Sequence, residues 1–214
     1  MDSRVLIASG RACDIYEHGD GAVLRRYRAG EPCDTEREAG VMARALEAGV
    51  PVPRVLGVQP DALVLERLEG PTMLEDIERR PWRFLSRARE LGRLHRTVLE
   101  AGLVHGDFHP ANVLLTEERP VVIDWSNAGE GDAPEDVAFT QVILATSDAD
   151  FPRWLERVGR MLRRRFVAAY LDGVGERPGP ESLRAAAERR LLDPHLRETE
   201  LASVRALLGQ PSTK

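Results

Sequence analysis

The run HGDFHPANVLL, residues 105–115, followed by VVIDW, residues 121–125, decides how this chain is read. It sets Asp107, Asn112 and Asp124 in an order that suits moving a phosphoryl group from Mg-ATP. A hydroxyl attacking a γ-phosphate needs an oriented carboxylate to receive its proton. The metal between the phosphates needs hard oxygen ligands on the other side. Asp107 fits the first role, and Asn112 and Asp124 the second. An apolar strand is expected to end in Asp124, twelve residues after Asn112, with a hairpin between them bringing strand and loop back into register. His105 reads as a residue that orients the loop by packing and backbone hydrogen bonds. His109 either faces the phosphates or fills a turn.

Upstream of this run the chain opens as strands: RVLIAS (4–9), CDIYEHG (13–19), a GDG turn at 19–21 suited to positive φ, and AVLRRYR (22–28). From Thr35 the apolar positions Ala39, Val41, Met42, Ala45 and Leu46 recur at helical spacing up to Gly49, a C-terminal stop. VPVPRVLGV (50–58) and ALVLERL (62–68) read as two more strands, and Gly70 with Pro71 breaks the pattern. Helices are expected at 72–78 and 82–99, the latter with Phe84, Leu85, Leu91, Leu94 and Val98 inward. After the hairpin NVLLT and PVVIDW, further helices are expected at 135–145, 152–170, 181–192 and 195–208. A strand-rich first third, a Gly/Pro break and a helical remainder predict an α+β fold of two lobes, 1–69 and 70–214, with a hinge at 66–72 and the chemistry in the cleft.

Composition excludes several classes. Hydrophobic content of 43% with 30% charged residues suits a globular protein. No window approaches the apolar run of a membrane span, and the first residues lack the core and cleavage site of a signal peptide, so a cytoplasmic protein is expected. Cys13 and Cys33 are the only cysteines and read as reduced thiols. The histidines show no zinc-type spacing. Charge is uneven, acidic through residue 150 and basic beyond it, and the only lysine is Lys214. Every functional cation in the folded body must therefore be an arginine.

HGDFHPANVLL and VIDWSNAGEGDAPEDVA, with LGRLH at the end of the preceding helix, resemble the aminoglycoside phosphotransferase and choline kinase-related family, on the protein-kinase-like fold. The resemblance implies a small antiparallel N-lobe with one helix, a mainly helical C-lobe, ATP and Mg2+ as cofactors, Asp107 as catalytic base, and Asn112 and Asp124 as Mg2+ ligands. Asp136 is similar to a buried Asp that braces the catalytic loop, although from spacing alone it is equally a helix N-terminal acid. Gly10 stands where a glycine-rich loop would cover the phosphates. AVLRRYR resembles the strand whose lysine holds the α- and β-phosphates. Arg25 takes that place, with Val23 on its strand face, and Arg26 is the alternative. Glu36 and Glu38 are the candidate acids to pair with it, and Glu38 matches the family's position better. Adenine is expected at main-chain groups near Glu66 to Leu68, with Val23, Val64 and Leu65 as apolar walls.

Trp125 and Ser126 stand where protein kinases have Phe-Gly, which points to an ATP-dependent O-phosphotransferase acting on a small hydroxylated metabolite, with no nucleic acid and no membrane as partner. Arg160 and Arg163 to Arg165 on one helix argue against a polycationic antibiotic as acceptor, while Glu130, Asp132, Glu135, Asp136, Asp148 and Asp150 are candidates to rim the site. Two other readings stay open. One is a compact atypical protein kinase resembling those associated with tRNA modification. The other is a nucleotide-binding pseudoenzyme that docks a partner, motivated by the missing lysine. Oligomeric state carries no signal in the sequence.

Overall fold

The computed structural model describes residues 5–10, 12–19, 21–147, 156–194 and 196–209. Strands β1 (Leu6–Ser9), β2 (Cys13–Glu17) and β3 (Ala22–Tyr27) form an antiparallel meander; helix α1 (Thr35–Glu47) follows, then β4 (Val55–Gln59) and β5 (Ala62–Glu66). All five strands lie in one antiparallel sheet of order β1-β2-β3-β5-β4, with Arg25 opposite Ile15 on one side and Leu63 on the other. Asp34 caps α1 by accepting from the Arg37 amide, and α1 buries Val41, Met42 and Ala45. Glu38 lies on that same buried face.

The strand expected from Val50 begins only at Val55. Pro51 and Pro53 bring no N–H to a ladder, so the segment 50–54 runs outside it. Val50 and Val52 bury in the core instead, and the Pro51 carbonyl accepts from the Val122 amide at 2.8 Å, tying the first lobe to the second.

Thr72 and Glu75 form a capping box at the start of α2 (Met73–Arg79). A 3-10 turn at Pro81–Arg83 leads into α3 (Phe84–Glu100), whose buried residues are Ala88, Leu91, Gly92, His95 and Val98, with Phe84 and Leu85 only half-buried. A two-stranded hairpin, β6 (Val113–Leu115) and β7 (Pro120–Val122), precedes α4 (Ala133–Thr146), α5 (Glu156–Val174), α6 (Pro180–Arg190) and α7 (Glu198–Leu207). The starts expected for two of these helices, at Pro152 and His195, lie outside the described residues.

One core runs through both lobes, from Val41, Met42 and Leu63 across Met73, Leu91, Phe108 and Trp125 to Tyr170. A second cluster joins α4, α6 and α7 through Phe139, Val142, Ala187 and Val204. Helices α3 and α5 cross at two glycines: a Cβ on Gly92 would lie 2.2 Å from the Tyr170 carbonyl oxygen, and one on Gly173 2.3 Å from that of Arg89. Among the described residues no helix is long and apolar enough to cross a membrane. Both cysteines are free thiols, Cys13 buried and Cys33 exposed.

Candidate active site

The loop that carries Asp107 is anchored from below. Asp136, in the first turn of α4, accepts from the amides of His105 at 2.7 Å and Gly106 at 2.9 Å. It also meets His95 Nε2 at 2.9 Å, and His95 Nδ1 meets the Tyr170 hydroxyl at 2.6 Å. An ionised carboxylate only accepts, so Nε2 carries the proton and, in the neutral ring, Nδ1 accepts from Tyr170. Burial alone would raise the Asp136 carboxyl. The hydrogen bond from His95, with the one from the His105 amide, outweighs it and holds the group below the usual carboxylate range. Gly106 adopts φ +75°, and a Cβ there would lie 2.7 Å from the Asn127 carbonyl oxygen, which restricts the position to glycine.

His105 is fully buried, edge-on to Phe108 and Trp125, with Nε2 at 3.1 Å from the Ile123 carbonyl oxygen. Burial pushes its pKa down, so the ring is a neutral strut between loop and hairpin.

On this base stand Asp107 and Asn112. Asn112 Nδ2 donates to the Asp107 carbonyl oxygen at 2.9 Å and lies 3.4 Å from its carboxylate, and His109 Nε2 sits 3.2 Å from the same Nδ2 and 3.5 Å from Asp107 Oδ2. Burial favours the neutral Asp107 carboxyl, but the hydrogen bond and charge of His109, with the charge of Arg190, leave it below its ordinary value and therefore ionised at neutral pH. An ionised, half-exposed carboxylate in a cleft is competent to accept a proton.

Asp124 is not the last residue of a strand. Strand β7 stops at Val122, and Asp124 is the one non-glycine residue with positive φ, +61°, among the described residues. This turn aims its carboxylate at the first lobe, where Oδ1 accepts from Arg25 Nη2 at 2.6 Å and from Ser126 Oγ at 2.9 Å. The Ile123 amide donates to the Asn112 carbonyl at 3.0 Å, so the Asn112 and Asp124 segments adjoin. Asn112 Oδ1 and Asp124 Oδ2 accept no hydrogen bond among the described residues. Two such hard oxygens fit Mg2+.

Arg25 projects from β3 into the same cleft. Its Nη1 lies 2.8 and 2.9 Å from the two Glu38 oxygens and 3.1 Å from the Tyr27 hydroxyl, which in turn donates to Glu38 Oε2 at 2.6 Å. Arg26 turns the other way, toward Asp61, and Glu36 is exposed. Gly10 occupies the turn between β1 and β2, donating to the Cys13 carbonyl at 2.8 Å. Val23 is half-buried beside Leu65. The Glu66 carboxylate pairs with Arg54 and its amide donates to the Arg54 carbonyl, so this side chain is engaged by Arg54, and Leu68 follows after the end of β5.

Sequence reading misses Tyr27, although its place two residues after Arg25 puts it on the same strand face. It also misses Arg37, which donates to the carbonyls of Ser126 and Ala128 and pins α1 to the segment after Asp124; nothing in the sequence signals that pair. Of the expected rim acids, Glu130 pairs with Arg44 at 2.9 Å, and Asp148 and Asp150 lie outside the described residues.

The comparisons with known proteins come down on one side. The family model described as "RIO domain" matches residues 21–141. The chain is 31% identical over 156 residues, 72% of its length and 74% of the other's, to a probable serine/threonine-protein kinase BUD32 homolog of Archaeoglobus fulgidus. It is 35% identical over 151 residues, 69% and 67% of the two lengths, to the KEOPS complex subunit Bud32 of Pyrococcus abyssi. It is 33% identical over 178 residues to a probable bifunctional tRNA threonylcarbamoyladenosine biosynthesis protein of Methanoculleus marisnigri, covering 76% of this chain and 32% of that one. In structure it is similar to a choline/ethanolamine kinase family protein from Mesorhizobium loti, with TM-score 0.59 and 18% identity over 97% of this chain and 88% of that one. That last likeness establishes the two-lobed kinase-like fold.

Three expectations are corrected by these findings. The assignment to the aminoglycoside phosphotransferase and choline kinase-related family does not stand, because sequence similarity runs to RIO and Bud32 proteins while choline kinase shares the fold alone. The small hydroxylated metabolite as acceptor, and the exclusion of nucleic acid, fall with it, since the relatives bear the names of complex subunits and of tRNA biosynthesis proteins. The physical reason is that a fold is shared by proteins of different function, and HGDFHPANVLL reports on the loop and its packing, not on the surface that meets an acceptor.

Proposed function

Because the chain belongs to the RIO domain family, we propose that it is an atypical serine/threonine kinase of the Bud32 kind, transferring the γ-phosphate of ATP to a protein hydroxyl and serving a tRNA-modifying assembly. The observation that carries this reading is the junction of Asp107, Asn112 and Asp124 on one loop and the turn behind it. In it Asp107 receives the proton of the attacking hydroxyl. Asn112, by donating to the Asp107 carbonyl, fixes that residue while leaving its own oxygen for Mg2+, and Asp124 offers the second oxygen. Bound there, Mg2+ neutralises charge on the phosphates.

Arg25, oriented by Glu38, faces the α- and β-phosphates in place of a lysine, under the turn at Gly10. Adenine lies against Val23, with main-chain atoms of Glu66 and Leu68 reading its edge. The division at residues 69 and 70 separates the nucleotide-binding lobe from the lobe that presents the acceptor, and we place the protein in the cytoplasm, where its free thiols would stay reduced.

Incubation with Mg2+ and γ-labelled ATP tests the assignment, using serine- and threonine-containing proteins on one side and a panel of small alcohols and aminoglycosides on the other. Label on serine or threonine, in the chain itself or in added protein, supports it. Label confined to small molecules, or nucleotide binding with no transfer to anything, would overturn it.

A further inference from the structure

The arginine at the phosphate-facing position brings a neighbour that a lysine would not need. Tyr27 lies two residues along β3, 6% exposed, with the Arg25 guanidinium carbon 4.9 Å from the centre of its ring. Its hydroxyl accepts from Arg25 Nη1 at 3.1 Å and donates its single hydrogen to Glu38 Oε2 at 2.6 Å, closing a ring of three side chains. Nη1 is thus held by Glu38 and Tyr27 together, while Nη2 reaches Asp124. We propose that Tyr27 is a positioning residue that adapts this site to arginine: ring and hydroxyl fix the guanidinium plane so that one nitrogen stays on Glu38 while the other faces the metal-side carboxylate and the phosphates.

An ammonium has no planar face to lie on an aromatic ring and no second nitrogen to aim, so the same tyrosine does less for a lysine. Burial, followed by contact with Glu38, drives the Tyr27 phenol well above its usual pKa, which keeps the hydroxyl a donor throughout the physiological range. The role rests on the proposed nucleotide site, but the ring of side chains stands without it.

Four proteins test the inference: the wild type, Tyr27→Phe, Arg25→Lys and the double variant. Affinity for Mg-ATP is measured by calorimetry and stability by urea midpoint. Tyr27→Phe should weaken Mg-ATP binding roughly tenfold beside Arg25, as loss of a hydrogen bond to charged groups does, and less than about threefold in the Arg25→Lys background. Equal losses in both backgrounds, or none beside Arg25, would overturn it. Should the wild type bind no nucleotide, the kinase reading fails, and the urea midpoints then decide. Destabilisation by the two substitutions that is less than additive supports the coupled arrangement; strict additivity contradicts it.

Discussion

Arg25 Nη2 stands 2.6 Å from Asp124 Oδ1, so one ion pair joins the central strand of the first lobe to the turn that ends the hairpin of the second. The guanidinium is nearly buried, with its side chain 7% exposed, whereas Asp124 is 39% exposed and open to the cleft. Glu38 sits behind, 2% exposed, and neutralises the same cation. Helix α1, strand β3 and the Asp124 turn therefore meet at one buried cation, and Arg37 adds a second tie from α1 to the segment after Asp124.

Replacing Glu38 with Gln would leave the buried Arg25 with a single charged partner across the cleft. Breaking a buried pair from one side costs about 3 kcal/mol, and Mg-ATP affinity should fall with it as Arg25 loses its orientation. Urea unfolding checks the first and calorimetry the second; a stability change under about 1 kcal/mol would show that the pair is not solvent-excluded in solution.

Gly92→Ala places a Cβ against three main-chain atoms of α5, at 2.2 to 2.8 Å. Backbone cannot swing aside as a side-chain end can, so the α3–α5 crossing must open, at about 3 kcal/mol. In a chain of this size the melting temperature should drop by roughly 6–12 °C. An unchanged melting curve would mean that these helices pack farther apart in solution.

Acid should expose the role of Asp136. Its carboxyl titrates below the ordinary 3.8 in the fold, against about 3.9 in an unfolded chain. A depressed carboxyl contributes stability that is complete above about pH 5 and is lost as pH falls through the folded value. Asp136→Asn should therefore be less stable than the wild type at pH 7, with the gap narrowing below about pH 4. Urea midpoints across that range measure it, and a gap constant down to about pH 3 would rule out an ionised Asp136.

The contacts among several of the expected residues are legible in the sequence because loop spacing and strand parity constrain which side chains can meet. Asp107 and Asn112 are five apart on a loop that must fold back on itself, and the Asn112 amide does bridge to Asp107. Arg25 and Glu38 are also readable as a pair, one from strand parity and one from the start of the helical face. What escapes is conformational or long-range. VVID reads as unbroken strand, and nothing in it announces that Asp124 takes φ +61°. The two prolines in VPVPR do carry a signal against a strand, and the register begins only at Val55. Arg37 meets Ser126 and Ala128 through tertiary approach alone. Trp125 and Ser126 mislead about the acceptor because, buried or bonded within the turn, they report on local packing and not on what binds outside.

The role of Asp107 is most directly tested by single-turnover transfer from γ-labelled ATP in the wild type and in Asp107→Asn, with Mg-ATP affinity measured in parallel. Removing the proton acceptor while keeping the side chain's shape should slow transfer by about 100-fold or more and change nucleotide affinity by less than about threefold. Transfer at the wild-type rate from the Asn variant would contradict a base at position 107 and, with it, the kinase assignment of this cleft.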